Sequence, residues 1–140
     1  GHNQMPWSDE LELKSNPCYC GKFGCIETFL SGKGFQKSFF NISNKNMSPE
    51  KIVELVDQED DFAIQAIELY ELRLAKSLSI VINLLDPDMI VLGGGLSNIN
   101  RIYDNVPMLL DEYVLSDSIS TQITKAVHGD SSGVRGAAWL

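Results

Sequence analysis

Apolar positions recur at helical spacing in the middle of the chain. Ser48-Pro49-Glu50 has the residues of a helix start, namely an N-cap serine, a proline in the first turn and an acid near the positive end of the dipole. A longer helix is predicted from about residue 60 to the Asp86-Pro87 pair. It ends there because a proline disfavours helical backbone at the residue that precedes it. The apolar residues of this helix recur at intervals of three and four, at Ile67, Tyr70, Leu74, Leu78 and Val81.

The second half of the chain adds strands to these helices. The apolar run Met89-Ile90-Val91-Leu92 leads into three glycines, which is typical of a buried parallel strand that enters a tight turn. We expect a helix over about 98–113, strained in its middle by a proline, a second strand over 122–127 and a closing helix over 130–139. This order predicts an α/β fold with right-handed crossovers. Since two strands make a thin sheet, we expect the chain to form part of a larger one.

The beginning of the chain lacks such periodicity. The first 25 residues are interpreted as a long ordered loop, which is uncommon in a compact domain unless the loop has a function or a staple. A short helix over about 26–30 follows, and we expect Gly32 and Gly34 to end it.

Composition excludes some classes of partner. The chain has 140 residues, of which 44% are hydrophobic and 21% are charged, as in an ordinary globular domain. Its formal net charge of −8 argues against nucleic acid and anionic membranes as partners, because both require clustered Lys and Arg. No apolar run approaches the roughly 18 residues needed to span a bilayer. We therefore expect neither a nucleic-acid partner nor a membrane partner.

The cysteines form the strongest local signal. Cys18, Cys20 and Cys25 lie within one short stretch, and an odd number of thiols makes a metal site in a cytoplasmic protein a better interpretation than a disulfide framework. Zinc takes four ligands, and a closed Cys3His site is structural rather than catalytic. The candidate histidines are His2, which opens the same loop, and His128, which follows the second predicted strand. From spacing alone, a zinc site with His2 and three buried free thiols both remain open.

Two further features are candidate binding residues. Gly93, Gly94 and Gly95 lie between a predicted strand and a predicted helix, where backbone N–H groups can face a nucleotide. Their spacing is neither GxGxxG nor that of a phosphate-binding Gly-Lys-Ser/Thr loop, so a plain strand-to-helix turn is the alternative. Glu27 follows the last cysteine, and its carboxylate can accept hydrogen bonds from sugar hydroxyls. A helix-terminal acid stabilised by the dipole is the alternative interpretation of Glu27.

Together these motifs resemble the ROK family, which groups sugar kinases and repressors. The stretch from Cys18 to Glu27 matches the family's CxCGxxGCxE signature at every fixed position, and Gly1-His2 is similar to the end of its ExGH motif. Residues 85–97 resemble its strand-and-glycine nucleotide motif, and residues 129–138 resemble its C-terminal helix entry. Two stretches look most like the bacterial fructokinases (also called manno(fructo)kinases) of this family, Gly1-His-Asn-Gln-Met-Pro-Trp7 and Arg73-Leu-Ala-Lys-Ser-Leu78.

The resemblance implies a fold and a set of site residues. The fold is the C-terminal part of an actin-like ATPase (ribonuclease H-like) domain, in which a zinc-stapled loop of residues 1–27 precedes an α/β segment of residues 28–140. Glu27 is implied as a sugar ligand, with His2 also close to the sugar. The implied zinc ligands are His2, Cys18, Cys20 and Cys25. The implied residues of the nucleotide wall are Gly93, Gly94 and Gly95.

The resemblance also implies an activity for the full-length protein. This activity is ATP-dependent phosphorylation of a hexose, with fructose converted to fructose 6-phosphate, Mg²⁺ on the nucleotide, a cytoplasmic location and a homodimer. The family's DxGGT phosphate loop and its catalytic aspartate, in an Asn-Asp pair, do not occur in this sequence. We therefore expect the catalytic base upstream and assign no catalytic residue here. The alternatives are a sugar-responsive ROK repressor with upstream DNA-binding helices, and a free-standing zinc-stapled module without catalysis.

Overall fold

The structure is a computed structural model that describes residues 1–116, 118–127 and 138. The predicted closing helix over 130–139 lies outside the described residues, except for Ala138. The elements of the described part are α1 (Glu10–Lys14), α2 (Glu27–Leu30), α3 (Gly32–Ser43), α4 (Pro49–Asp57), α5 (Asp61–Leu85), β1 (Met89–Leu92), α6 (Arg101–Leu110) and β2 (Gln122–Lys125). The predicted α/β class is confirmed.

The chain divides into two compact units, Gly1–Ser77 and Leu78–Leu140. In the first unit, α2 packs on α3 and α3 packs on α4. The Phe35 ring meets the Tyr70 ring of α5 edge to face, with the ring centroids 5.5 Å apart. The largest fully buried side chains of this unit are Phe29, Phe35, Phe39, Ile52, Ile67 and Cys25. Helices α2 to α5 therefore all contribute to this core, and the predicted apolar positions Ile67, Tyr70 and Leu74 of α5 are buried in it.

The loop predicted over the first 25 residues contains a helix, so that part of the prediction was wrong. The Asp9 carboxylate caps α1 by accepting a hydrogen bond from the Glu12 N–H at 2.7 Å. Lys14 pairs with Glu10 one turn earlier, with 2.5 Å between Nζ and Oε1. A helix this short offers too few positions for an apolar period, so its sequence signals are the cap and the charge pair.

The glycines expected to end α2 belong instead to α3. Ser31 has extended backbone, and its Oγ accepts a hydrogen bond from the Gly34 N–H at 3.1 Å, so that it ends α2 and caps α3. A Cβ atom at Gly34 would lie 2.5 Å from the Thr28 carbonyl oxygen and 2.6 Å from the Phe29 carbonyl carbon. Glycine is therefore needed here for close approach between the two helices, rather than as a helix breaker.

The second unit contains the sheet. Strands β1 and β2 pair in parallel, with Met89 opposite Gln122 and Leu92 opposite Lys125. Met89 and Val91 are 51% and 58% exposed, so one face of β1 is not covered by the described residues, contrary to the predicted burial. Strand β2 is two residues shorter than the predicted 122–127.

Helix α6 is shorter than the predicted 98–113, because a short 3-10 helix, Gly95–Asn98, precedes it. It buries Ile102, Val106 and Leu110, while Pro107 lies on its exposed side. None of the helices in the described ranges combines the length and the apolar composition needed to cross a membrane.

Candidate metal centre and ligand site

Backbone pairing brings the start of the chain to the start of α2. The Ile26 N–H donates to the Asn3 carbonyl at 2.8 Å, and the Glu27 N–H donates to the Gly1 carbonyl at 3.2 Å. His2 lies between these two acceptors in the chain. Its side chain is therefore held beside the first turn of α2, although 25 positions separate His2 from Glu27.

A tight turn brings the cysteines together. The Cys18 N–H donates to the Lys22 carbonyl at 2.8 Å, and the Gly21 N–H donates to the Cys18 carbonyl at 3.0 Å. Gly21 and Gly24 have φ values of +83° and +67°, the left-handed backbone that glycine adopts without strain. These two glycines thereby allow the loop to turn so that the three thiols lie close together.

Four donor atoms converge in this loop. The side-chain donors of His2, Cys18, Cys20 and Cys25 all lie within 4.8 Å of one another. The His2 Nδ1 is 3.5 Å from the Cys18 Sγ, and the Cys20 Sγ is 3.6 Å from the Cys25 Sγ. Tetrahedral zinc with bonds of about 2.3 Å to sulfur and about 2.1 Å to nitrogen separates its donors by roughly 3.5–3.8 Å. The cluster is thus compatible with a zinc site, whereas His128 lies outside the described residues.

The metal-free thiols differ in acidity. Burial, together with hydrogen bonds to the neighbouring thiols, raises the pKa of Cys25 to about 11. A backbone N–H hydrogen bond from Lys22 lowers the pKa of Cys20, which is exposed. Because a metal binds the thiolate, it must displace the proton that Cys25 holds at neutral pH.

The other ring nitrogen of His2 faces Glu27 and a residue that the sequence did not single out, Tyr19. The His2 Nε2 lies 3.0 Å from the Tyr19 Oη and 3.7 Å from the Glu27 Oε2. The Tyr19 hydroxyl donates to the same Glu27 oxygen over a long 3.5 Å. We call His2, Tyr19 and Glu27 the polar cluster. The position of Tyr19 between two cysteines of the motif was its only sequence signal.

The polar cluster is open to solvent. The side chains of His2 and Glu27 are 40% and 41% exposed, and Tyr19 is 81% exposed. Desolvation of its hydroxyl and the charge of Glu27 raise the pKa of Tyr19, so it is a neutral hydrogen-bond donor at pH 7. Glu27 is also the first residue of α2, so the helix-terminal interpretation holds as well. Its carboxylate is nevertheless partly exposed on the solvent side, from which a ligand can approach.

The glycine turn lies in the second unit. Gly94 has a φ of +88°, and its carbonyl accepts hydrogen bonds from the Ser97 N–H at 3.1 Å and the Ser97 Oγ at 2.7 Å. A Cβ atom at Gly93, Gly94 or Gly95 would meet no described atom within 4 Å. Turn geometry therefore explains glycine at position 94, but in the described part of the chain it does not explain the glycines on either side.

Arg73 has a structural role that the sequence did not reveal. Its Nε and Nη2 donate to the Glu12 Oε1 at 3.0 and 2.5 Å, and its Nη1 donates to the Ser38 Oγ at 2.8 Å. The guanidinium carbon lies 4.7 Å from the centroid of the Phe29 ring. One side chain of α5 thereby contacts α1, α2 and α3.

The parallel α/β segment and the cysteine–histidine loop, which is compatible with zinc, agree with the predicted actin-like ATPase fold. The profile of the ROK family matches residues 1–140, and the chain belongs to this family. The N-acetyl-D-glucosamine kinase of Erwinia tasmaniensis is 40% identical over 145 residues, covering 100% of this chain and 48% of the relative. The chain thus spans about half the length of the curated relatives it matches.

Solved structures share the fold. A ROK family glucokinase from Streptomyces griseus, in complex with glucose and AMPPNP, superposes with a TM-score of 0.85 at 20% identity, over 100% of this chain and 49% of that one. A ROK family transcriptional regulator, a homolog of the E. coli MLC protein, superposes with a TM-score of 0.70 at 24% identity, over 89% of this chain and 33% of that one. Kinases and regulators therefore share this architecture.

Proposed function

We propose that the full-length protein is an ATP-dependent hexose kinase, to which this chain contributes sugar contacts and part of the nucleotide wall. The observation that carries the proposal is the polar cluster, in which an exposed carboxylate and an imidazole nitrogen stand 3.7 Å apart beside the four-donor loop. The kinase names of the curated relatives support it.

The loop holds zinc in this proposal, and the ligands are His2, Cys18, Cys20 and Cys25. Four protein ligands leave no open position, so the metal supplies stability to the loop rather than chemistry at the sugar. Metal coordination at Nδ1 leaves the proton of the neutral imidazole on Nε2. His2 therefore offers an N–H donor toward the side where the Glu27 carboxylate lies.

The same pair suits a sugar hydroxyl. A hydroxyl both accepts and donates hydrogen bonds, so one sugar hydroxyl can accept from the His2 Nε2–H and donate to the Glu27 carboxylate. The bond to the ionised Glu27 is charge-assisted and therefore the stronger of the two. His2 and Glu27 thus bind and orient the sugar.

This chain contributes fewer residues to the remaining parts of the active site, which are the nucleotide wall and the catalytic base. We propose that Gly93, Gly94 and Gly95 lie against the nucleotide, because no atom of the described residues lies within 4 Å of where their Cβ atoms would stand. Phosphoryl transfer needs a base close to the attacking hydroxyl and Mg²⁺ on the phosphates. We place that base outside this chain, which lacks the family's Asn-Asp pair and its DxGGT loop.

Two sugars are the main candidate substrates. We propose fructose, on the resemblance of residues 1–7 and 73–78 to bacterial fructokinases. Curated relatives of this chain include N-acetyl-D-glucosamine kinases, which makes that amino sugar the rival substrate. We further propose a cytoplasmic homodimer, which light scattering on the full-length protein will test.

The deciding experiment is a coupled ADP-release assay on the full-length protein with Mg²⁺-ATP and fructose, mannose, glucose or N-acetyl-D-glucosamine. The proposal expects one hexose to raise ADP release far above the sugar-free blank. The fold match to a regulator keeps the repressor as the second candidate function. If no sugar stimulates ADP release while the full-length protein binds DNA in a sugar-dependent way, the repressor is correct.

A further inference from the structure

The Tyr19 hydroxyl occupies the space between the two proposed sugar ligands. Its oxygen lies 3.0 Å from the His2 Nε2 and 3.5 Å from the Glu27 Oε2, and those two atoms are themselves 3.7 Å apart. With the imidazole proton on Nε2, the Tyr19 oxygen accepts from His2 while its O–H donates to Glu27. These are the two hydrogen bonds that the proposed function gives to a sugar hydroxyl.

We propose that Tyr19 is a gating residue whose hydroxyl fills the sugar-hydroxyl position in the free protein and leaves it when the sugar binds. The inference rests on the proposed function, because it takes His2 and Glu27 as the sugar ligands. It assigns to Tyr19 a role in sugar affinity, in which the Tyr19 side chain contacts neither the zinc nor the nucleotide.

The three residues differ in how firmly they are held. His2 is fixed by the pairing of its chain neighbours with Ile26 and Glu27, and Glu27 by its place in α2. The backbone of Tyr19 is held by the turn from Cys18 to Lys22, but its side chain is 81% exposed. An exposed side chain changes rotamer in picoseconds to nanoseconds, so the tyrosine ring can swing out while its neighbours stay in place.

A closed gate weakens apparent sugar affinity. Only molecules with the hydroxyl displaced are competent to bind, and apparent affinity falls in proportion to their fraction. One such hydrogen-bonded contact makes the closed state, with the hydroxyl in the polar cluster, about twofold to tenfold more populated than the open state, with the hydroxyl in solvent. Removing the hydroxyl should therefore tighten sugar binding by about that factor.

The test is isothermal titration of the full-length protein, without ATP, with fructose and with N-acetyl-D-glucosamine in separate experiments. Tyr19→Phe removes the hydroxyl and keeps the ring, and we expect its Kd for the bound sugar to fall by about twofold to tenfold. Phe23→Leu is the matched control, because Phe23 is an exposed aromatic of the same loop, at 53%, outside the polar cluster. Its Kd should stay at the wild-type value.

Kinetics and zinc content add a second readout. In Tyr19→Phe the KM for the sugar should fall and the KM for ATP should stay unchanged, with one zinc retained per chain as in the control. An unchanged Kd overturns the gate. A higher Kd in Tyr19→Phe also overturns it, since the hydroxyl would then be a sugar ligand that remains in the complex.

Glu27→Gln separates failure of this inference from failure of the proposed site. If Glu27→Gln weakens sugar binding while Tyr19→Phe does not tighten it, only the gate is wrong. If Glu27→Gln leaves sugar binding unchanged, the proposed site is wrong and the gate falls with it. In a Glu27→Gln background Tyr19→Phe should tighten binding by a smaller factor, because the acceptor of the gate has lost its charge.

Discussion

At the scale of single residues, Arg73 shows how much of the first unit depends on one side chain. It is 11% exposed, donates to Glu12 and Ser38, and stacks on Phe29. A guanidinium satisfies these partners together because its donors form a rigid planar fork, whereas an ammonium is a single point donor. A substitution that keeps only the positive charge would therefore not preserve these contacts.

The first prediction follows from this geometry. Arg73→Lys should lower the free energy of unfolding by about 1–2 kcal/mol, because the fork and the stacking are lost while the charge remains. Chemical denaturation measures the change. Lys51→Ala is the control, since Lys51 and Glu54 form a pair whose side chains are 55% and 57% exposed, worth about 0–1 kcal/mol. Equal losses in the two variants would show that the Arg73 contacts stabilise the protein no more than an exposed ion pair does.

Glu27 carries the second residue-scale prediction. Glu27→Gln in the full-length enzyme should lower kcat/KM for the sugar by about tenfold to a hundredfold, because a charge-assisted hydrogen bond becomes a neutral one. The KM for ATP should change little. Steady-state kinetics with each substrate varied in turn checks both. An equal effect on the ATP KM would indicate general destabilisation of the protein instead.

At the scale of elements, the cysteine loop combines a few backbone hydrogen bonds with four side chains that we propose as zinc ligands. We expect one zinc per chain in protein purified without added metal, measured by elemental analysis. Freely reacting thiols in the folded, purified protein would contradict this prediction. Replacing Cys20 by Ala should loosen the loop, since zinc supplies much of the folding energy of small metal-bound segments.

The acidity of the loop thiols gives a pH prediction. Burial raises the pKa of Cys25 to about 11, so this thiol is protonated in the zinc-free loop at pH 7 and must lose its proton to bind zinc. Protons compete with the metal, and zinc affinity should therefore fall as the pH is lowered. Calorimetry of zinc binding in two buffers with different ionisation enthalpies will detect the released protons. Identical heats in both buffers would mean that no proton is released.

Two glycines at helix and strand ends offer a matched pair of tests. Gly34→Ala should destabilise the protein by about 1–3 kcal/mol, because its Cβ would lie 2.5 Å from the Thr28 carbonyl oxygen. Gly93→Ala should leave the melting temperature unchanged, since its Cβ meets no described atom within 4 Å, and should instead raise the KM for ATP. Thermal melts and ATP kinetics on both variants distinguish packing from binding. A wild-type ATP KM in Gly93→Ala would remove Gly93 from the nucleotide wall.

At the scale of the whole molecule, we propose that this chain binds ligands and that the groups that transfer the phosphoryl group lie outside it. Its 140 residues include no DxGGT loop and no Asn-Asp pair. Incubated alone with Mg²⁺-ATP and either leading sugar, this chain should release no ADP above background, because no base is available near the attacking hydroxyl. Bound zinc provides the control that the loop is folded. Turnover near the rate of the full-length enzyme would show that a carboxylate of this chain, with Glu27 the first candidate, is the base.

Much of the fold was predictable because its signals are local. Caps at Ser48, the apolar spacing of α5 and the apolar run of β1 each depend on residues a few positions apart. Helices α1 and α3 were missed for the opposite reason. One turn of helix has no apolar period, and the glycine at position 34 acts through contact with a neighbouring helix rather than through its own propensity.

The sequence by itself predicted a metal site, since three cysteines and a glycine-rich turn lie in one short stretch, and it determined the α/β class through periodicity. Only the tertiary structure decided what surrounds those donors. His2 meets Tyr19 and Glu27 across separations of 17 and 25 positions, and Arg73 meets Glu12 across 61. Such contacts arise from backbone pairing and helix packing, which no local pattern of residues encodes, so the polar cluster and the arginine network became visible only in the folded chain.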